Sequence, residues 1–199
     1  MTRTRSALRL VALFIVFGIL ISGCSQDPKW KLIDLTGIMP PLEFTLHDDQ
    51  GQPVTADKYK GKVVMLYFGY THCPDVCPTT LVRIANALKK LDGEADQVQP
   101  LFISVDPARD TPKILQEYPK AFSSRIDGLS GDEQSLRKLT KRYRVTFGLG
   151  KPDARGNYEV THSSAIFIFD KKGETRLMAR SDDSADAIAH DLKELIGES

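Results

Sequence analysis

Two thiols are separated by three residues in the stretch Cys73-Pro74-Asp75-Val76-Cys77-Pro78. Each is followed by proline, which disfavours the helical region for the residue before it. Proline suits the first position of a helix, so Pro78 is expected there, with Cys77 as the N-cap and Cys73 on the loop just ahead. Both sulfurs then sit near the positive end of a helix, which favours thiolate, the form that attacks disulfides and binds metals. The spacing is one residue wider than in the commonest redox pair. The loop can close as a disulfide if the Cα atoms come within about 7 Å, or it can offer both sulfurs to one ion. A purely structural bridge across so short a loop adds little stability. His72 adjoins Cys73 and can raise its reactivity or compete as a ligand. His162, on its own, is a histidine just ahead of an apolar run, and His47 and His190 read as surface residues.

Positioning these groups takes an alternation of strands and helices. Pro40-Pro41 marks the start of the folded part, and Leu42 to Val54 reads as a hairpin turning at Asp49-Gln50-Gly51. Val63 to Phe68 and Leu101 to Val105 are continuous apolar runs, as in strands buried on both faces. Leu81, Ile84, Ala85, Leu88 and Leu91 recur at helical spacing after Pro78. Thr111-Pro112 predicts a helix start, with the helix running to about Phe122. Asp132 to Tyr143 predicts a further helix, and Thr146 to Val160 a hairpin or long loop. Strands are expected at Ala165 to Phe169 and Thr175 to Arg180, with a closing helix at Ser184 to Ile196. The order predicts one α/β domain, a central β-sheet flanked by helices with an N-terminal β-hairpin.

The chain of 199 residues has a formal net charge of +1, with 41% hydrophobic and 27% charged residues. This is the composition of a globular protein, and it gives no support for nucleic-acid binding. Arg3, Arg5 and Arg9 precede the uncharged run Leu10 to Ile21, which is short of the roughly 20 residues of a membrane span. The pattern predicts a signal peptide over residues 1–23. Its end, Ile21-Ser22-Gly23-Cys24, resembles the bacterial lipobox, which implies that Cys24 is lipidated and becomes the mature N-terminus. Residues 24–40 then read as a polar tether and 41–199 as the domain, held at an extracytoplasmic membrane face. Without residues 1–23, 24 basic side chains face 26 acidic ones, and Cys73 and Cys77 remain as an even pair.

Gly69-Tyr70-Thr71-His72 leading into the two cysteines, Ser104-Val105-Asp106-Pro107 with Arg109-Asp110-Thr111, and His162-Ser163 together resemble the Sco/SenC family. These are copper-binding assembly factors for cytochrome c oxidase. Gly148 to Tyr158, with Lys151-Pro152-Asp153, and Leu35-Thr36-Gly37 also match, so the likeness runs from about Asp34 to the C-terminus. The resemblance implies a thioredoxin-like fold and one copper ion, Cu(I) or Cu(II), held by Cys73, Cys77 and His162. Asp75 and Asp106 are candidates to stand behind those ligands, or to cap turns. Thr161 occupies a position where many members carry an acid, and Ser163-Ser164 lies where thioredoxins carry a cis-proline. The implied partners are the copper-receiving oxidase subunit, a copper donor of unknown identity and a thioredoxin-like reductant. Soft thiolates suit Cu(I), and two thiolates with an imidazole also hold Cu(II); zinc accepts the same three ligands. The expected role is a metallochaperone, with reduction of the oxidase cysteines by the Cys73–Cys77 pair as the alternative. A peroxiredoxin-like peroxidase ranks last, because that branch relies on a single cysteine in a different motif.

Overall fold

The computed structural model describes residues 30–153, 158–161 and 163–198. A six-stranded mixed sheet runs in the order β1-β10-β9-β4-β5-β6. Its central strand, β4 (Val63–Gly69), is buried along its whole length. It pairs in parallel with β5 (Val98–Ser104) and antiparallel with β9 (Ile166–Phe169), placing Leu66 opposite both Leu101 and Phe167. A strand covered on both faces needs apolar residues at every position, which is why these runs lack alternation. β5 pairs in parallel with β6 (Asp127–Leu129), and β9 pairs antiparallel with β10 (Thr175–Ala179). This is the expected thioredoxin-like α/β arrangement.

The helices are α1 (Val76–Lys89), α2 (Pro112–Glu117), α3 (Glu133–Arg142) and α4 (Ala185–Gly197). Three start on caps legible in the sequence. Thr111, Asp132 and Ser184 accept backbone N–H bonds from Ile114, Ser135 and Ala187 at 3.4, 2.8 and 3.1 Å. The second helix stops at Glu117, earlier than expected, and Pro119 opens a separate 3-10 turn because it has no N–H to continue the ladder. The expected N-terminal hairpin is present as β2 (Thr45–His47) and β3 (Pro53–Thr55), a two-stranded sheet of its own. Asp48 Oδ1 accepts from Gln50 and Gln52 in its turn, where Gly51 supplies a φ of +74°.

Residues 30–40 are the main correction to the expected domain boundary. Rather than trailing as tether, they contribute β1 (Ile33–Asp34), paired antiparallel with β10. The buried Asp191 carboxylate on α4 accepts from Lys31 N at 2.9 Å and Leu32 N at 2.8 Å, which ties the segment down. Residues 1–29, with the predicted signal peptide and Cys24, lie outside the described residues. Among the described residues no helix is long and apolar enough to cross a membrane.

Candidate functional site

The site forms where β4 ends. Gly69 closes the strand against the core: a Cβ there would lie 2.6 Å from Phe102 Cε2 and 3.1 Å from Cys77 Sγ. The chain turns through Tyr70 to His72, Cys73 N donates to Tyr70 O at 3.4 Å, and α1 begins. Its N-cap is Asp75, with Cys77 in the second helical position and Pro78 in the third. This shifts Cys77 from the expected N-cap to inside the first turn. Proline fits there because the first N–H groups of a helix have no intrahelical partner to lose.

The two sulfurs are brought together, and both are thiols rather than halves of a disulfide. Cys77 N–H donates to Cys73 Sγ at 3.4 Å. Cys73 is half-buried and Cys77 fully buried. Burial pushes the Cys73 thiol up, but the backbone N–H groups of Asp75, Cys77 and Val76 at the helix start outweigh it, and the net shift is downward. Cys77 moves the other way. Burial drives its thiol up to about 12, although the Tyr67 hydroxyl and the Tyr70 backbone favour its charged form. Burial, followed by the neighbouring Cys77, keeps the Tyr67 hydroxyl protonated. The pair therefore divides into an accessible sulfur inclined to ionise and a buried one that stays protonated until it is paired. The asymmetry comes from helix position: Cys73 faces the exposed N–H groups, whereas Cys77 points back toward Gly69 and Tyr67.

A buried carboxylate fastens the loop that carries them. Asp110, with its side chain fully buried, accepts from Ser104 Oγ at 2.5 Å, Thr71 Oγ1 at 2.6 Å and Thr71 N at 3.0 Å. His72 stands beside it, with Nδ1 3.2 Å from Thr71 Oγ1 and 3.6 Å from Asp110 Oδ1. The half-exposed imidazole points along the loop and closes no contact with the sulfurs among those observed. The β5 side is tied to the same place by Val105 N donating to Gly69 O at 2.9 Å.

The third wall is the hairpin β7 (Gly148–Leu149) and β8 (Val160–Thr161). The buried Tyr70 hydroxyl connects it to the thiols, hydrogen-bonding both the Val160 backbone and Cys73. Asp106 Oδ1 accepts from Tyr158 Oη at 2.7 Å and Oδ2 from Arg109 Nε at 2.5 Å. Arg109 Nη1 donates to Tyr158 O at 3.0 Å, and its guanidinium lies 3.6 Å from the Tyr158 ring centroid.

Of the expected site residues, the structure joins Cys73 and Cys77 and buries Asp106 one loop away. Asp75 is exposed, and its side chain caps no N–H group; its backbone is what faces Cys73. His162 lies outside the described residues, one peptide beyond Thr161. Among the described residues no group of three or more histidine, cysteine or acidic side chains is placed to hold a metal. Sequence reasoning gave no role to Asp110, Arg109, Tyr67, Tyr70 or Tyr158. The turn-like stretch Arg109-Asp110-Thr111 announced a helix cap and nothing of the burial of its carboxylate.

The SCO1/SenC family model matches residues 41–197. Over 134 residues the chain is 42% identical to the mitochondrial protein SCO2 of Saccharomyces cerevisiae, covering 66% of this chain and 44% of that one. An SCO2-like protein of Rickettsia prowazekii is 38% identical over 131 residues, 65% of this chain and 64% of its own. The chain thus spans about half to two thirds of the length of these curated relatives. Among solved structures, copper-bound ScoI of Bradyrhizobium japonicum superimposes with a TM-score of 0.71 at 38% identity, covering 78% of this chain and 98% of that one.

Proposed function

The chain belongs to the SCO1/SenC family, and from that premise we propose that it is a copper-binding assembly factor for cytochrome c oxidase. Copper is its cargo, received from a donor and passed to the copper-receiving oxidase subunit. The observation that carries this reading is the placement of two reduced thiols on one helix start, Cys77 N 3.4 Å from Cys73 Sγ. Their chemistry fits the cargo, since thiolates are soft donors that prefer Cu(I), and an added imidazole extends the set to Cu(II). Copper-bound ScoI shares the fold at 38% identity, which supports the same cargo here. His162 is the third ligand in this reading. The Tyr70 bridge from Cys73 to Val160 supports it, because His162 follows Val160 by two residues.

The same reading places the protein outside the cytoplasm, lipid-anchored through Cys24 after loss of residues 1–23. The folded part begins by Lys31, so residues 24–29 would be the whole leash. Six residues reach about 20 Å at most.

Titration of the reduced protein with Cu(I) and with Cu(II) tests the assignment. One equivalent is expected to bind tightly, and His162→Ala to weaken binding and alter the Cu(II) spectrum. A wild-type protein that takes up no stoichiometric copper removes the proposal, and an unchanged spectrum in the variant removes His162 from the ligand set.

The contrast between the two thiols favours a second role, reduction of a disulfide in the copper-receiving subunit. Cys73 thiolate would attack one sulfur of the partner disulfide and expel the other as thiolate. Cys77, on losing its proton, would then attack Cys73 Sγ and release the partner as a dithiol, leaving Cys73 and Cys77 oxidised. At pH 7 iodoacetamide is expected to modify Cys73 well before Cys77, and Cys73→Ser to abolish reduction of a model disulfide. Equal labelling of the two sulfurs would remove this assignment of attacking and resolving thiols.

A further inference from the structure

Resting on the reading of His162 as a copper ligand, we propose that Asp106, Arg109 and Tyr158 are positioning residues that seat the β7–β8 hairpin, and so set copper retention separately from thiol reactivity. The hairpin cannot orient itself. Its strands have two residues each, joined by the pairings Gly148↔Thr161 and Leu149↔Val160 and by Gly150 N donating to Glu159 O at 2.7 Å. A two-stranded ribbon is marginal in water even when longer, so its direction has to be imposed from outside.

Tyr158 is where that happens. Asp106 holds its hydroxyl, Arg109 Nη1 holds its carbonyl, and the guanidinium covers its ring at 3.6 Å. A residue fixed at three points has little freedom left, and β8 starts two residues later. The other side of the clamp is equally fixed. Asp106 is fully buried, Asp106 N donates to Ser104 Oγ at 3.1 Å, and Arg109 N and Asp110 N donate to Asp106 O. Arg109 also lies 5.7 Å from the Tyr70 ring centroid, which brings the clamp beside the residue that bridges Val160 and Cys73. Burying a carboxylate with a guanidinium adds little to stability, because desolvation opposes the attraction. What the three residues supply is geometry, and the element whose geometry they set ends one peptide before His162. None of the three contacts either sulfur in the observed bonds. The thiols are held instead by α1, Gly69 and Tyr67.

Tyr158→Phe removes one oxygen and keeps the ring and the carbonyl contact. In the reduced full chain it is expected to weaken copper binding about 10–100-fold, the range for loss of a group that orients a ligand. Its Cu(II) spectrum should move toward that of His162→Ala. The Val160 and Thr161 amides of the copper-free protein should exchange faster, while alkylation of Cys73 keeps its rate. Adding Tyr158→Phe to His162→Ala should cost no further affinity, because the clamp acts through that side chain. Asp106→Asn preserves shape but turns one acceptor oxygen into an NH2 donor, so it cannot accept from both Tyr158 and Arg109 and tests the same clamp from its other side. Unchanged affinity and spectrum in both variants would overturn the proposal, and so would full additivity with His162→Ala or a Cys73 alkylation rate that shifts in step with affinity. If His162→Ala alone has no effect, the ligand reading fails and takes the proposed copper role of the clamp with it. Faster amide exchange in Tyr158→Phe would then show only that the hairpin is seated there.

Discussion

Cys77→Ser is expected to abolish stoichiometric copper binding by the reduced protein. The affinity loss should exceed the roughly 10–100-fold that removing an outer partner of a ligand costs. Serine keeps the size and the helix start but replaces a soft sulfur with a hard hydroxyl. The hydroxyl would be buried where the sulfur was, beside Gly69 and Phe102. The same burial fixes the pH dependence in the wild type. Cys77 is protonated at neutral pH, with its thiol pushed up to about 12, and in the proposed role would have to shed that proton to bind. Cys73 is shifted downward and gives up a smaller fraction of a proton. Copper binding should therefore release protons and tighten as pH rises from 6 to 8. Calorimetric titration in two buffers of different ionisation enthalpy reads that release directly. Binding that is indifferent to pH would contradict the proposed role of Cys77 as a ligand.

Asp110→Ala is expected to lower stability by about 3 kcal/mol, because it leaves Ser104 Oγ, Thr71 Oγ1 and Thr71 N without their acceptor, the first of them buried and the other two partly so. For a domain of this size that corresponds to a fall in Tm of roughly 10 °C, readable by calorimetry or by denaturant melts. Asp110→Asn should lose less, since its amide oxygen still accepts from part of the set. A variant with unchanged Tm would show that water replaces the carboxylate at no cost, contrary to its burial.

Long, strongly patterned segments were legible in the sequence. Val63 to Phe68 and Leu101 to Val105 announced buried strands because a sheet covered on both faces leaves no polar position to disguise them. Thr111-Pro112, Asp132 and Ser184 announced helix starts because capping is local chemistry. Short edge elements were not legible. Nothing in Ile33-Asp34 alternates over enough residues to signal a strand, and Asp127–Leu129 contains a glycine that ordinarily weakens one. That glycine is required, since a Cβ at Gly128 would run into the Leu115 carbonyl oxygen. At the site, the two cysteines declared themselves by type and spacing. Asp110 did not, because its burial depends on Thr71, 39 residues away, and no local pattern encodes that distance. Tyr158 is hidden for the same reason, its partner Asp106 lying 52 residues earlier.

The segment that precedes the β2–β3 hairpin has a bearing on self-association. β10 is the last long strand before one side of the sheet, and an uncovered strand of five residues is a template on which another chain can add. The N-terminal segment shields its middle, Arg176 to Met178, and the turn before it. Ile33 and Asp34 pair with Met178 and Leu177, Leu35 N donates to Arg176 O, and Leu42 N donates to Gly173 O. Among the described residues the borders of this sheet that remain are β1, with two residues, and β6, with three of which Gly128 and Leu129 are buried, too little ladder for a neighbouring copy to grip. Trimming the chain to residue 41 would strip that cover and turn a blunted border into an adhesive one.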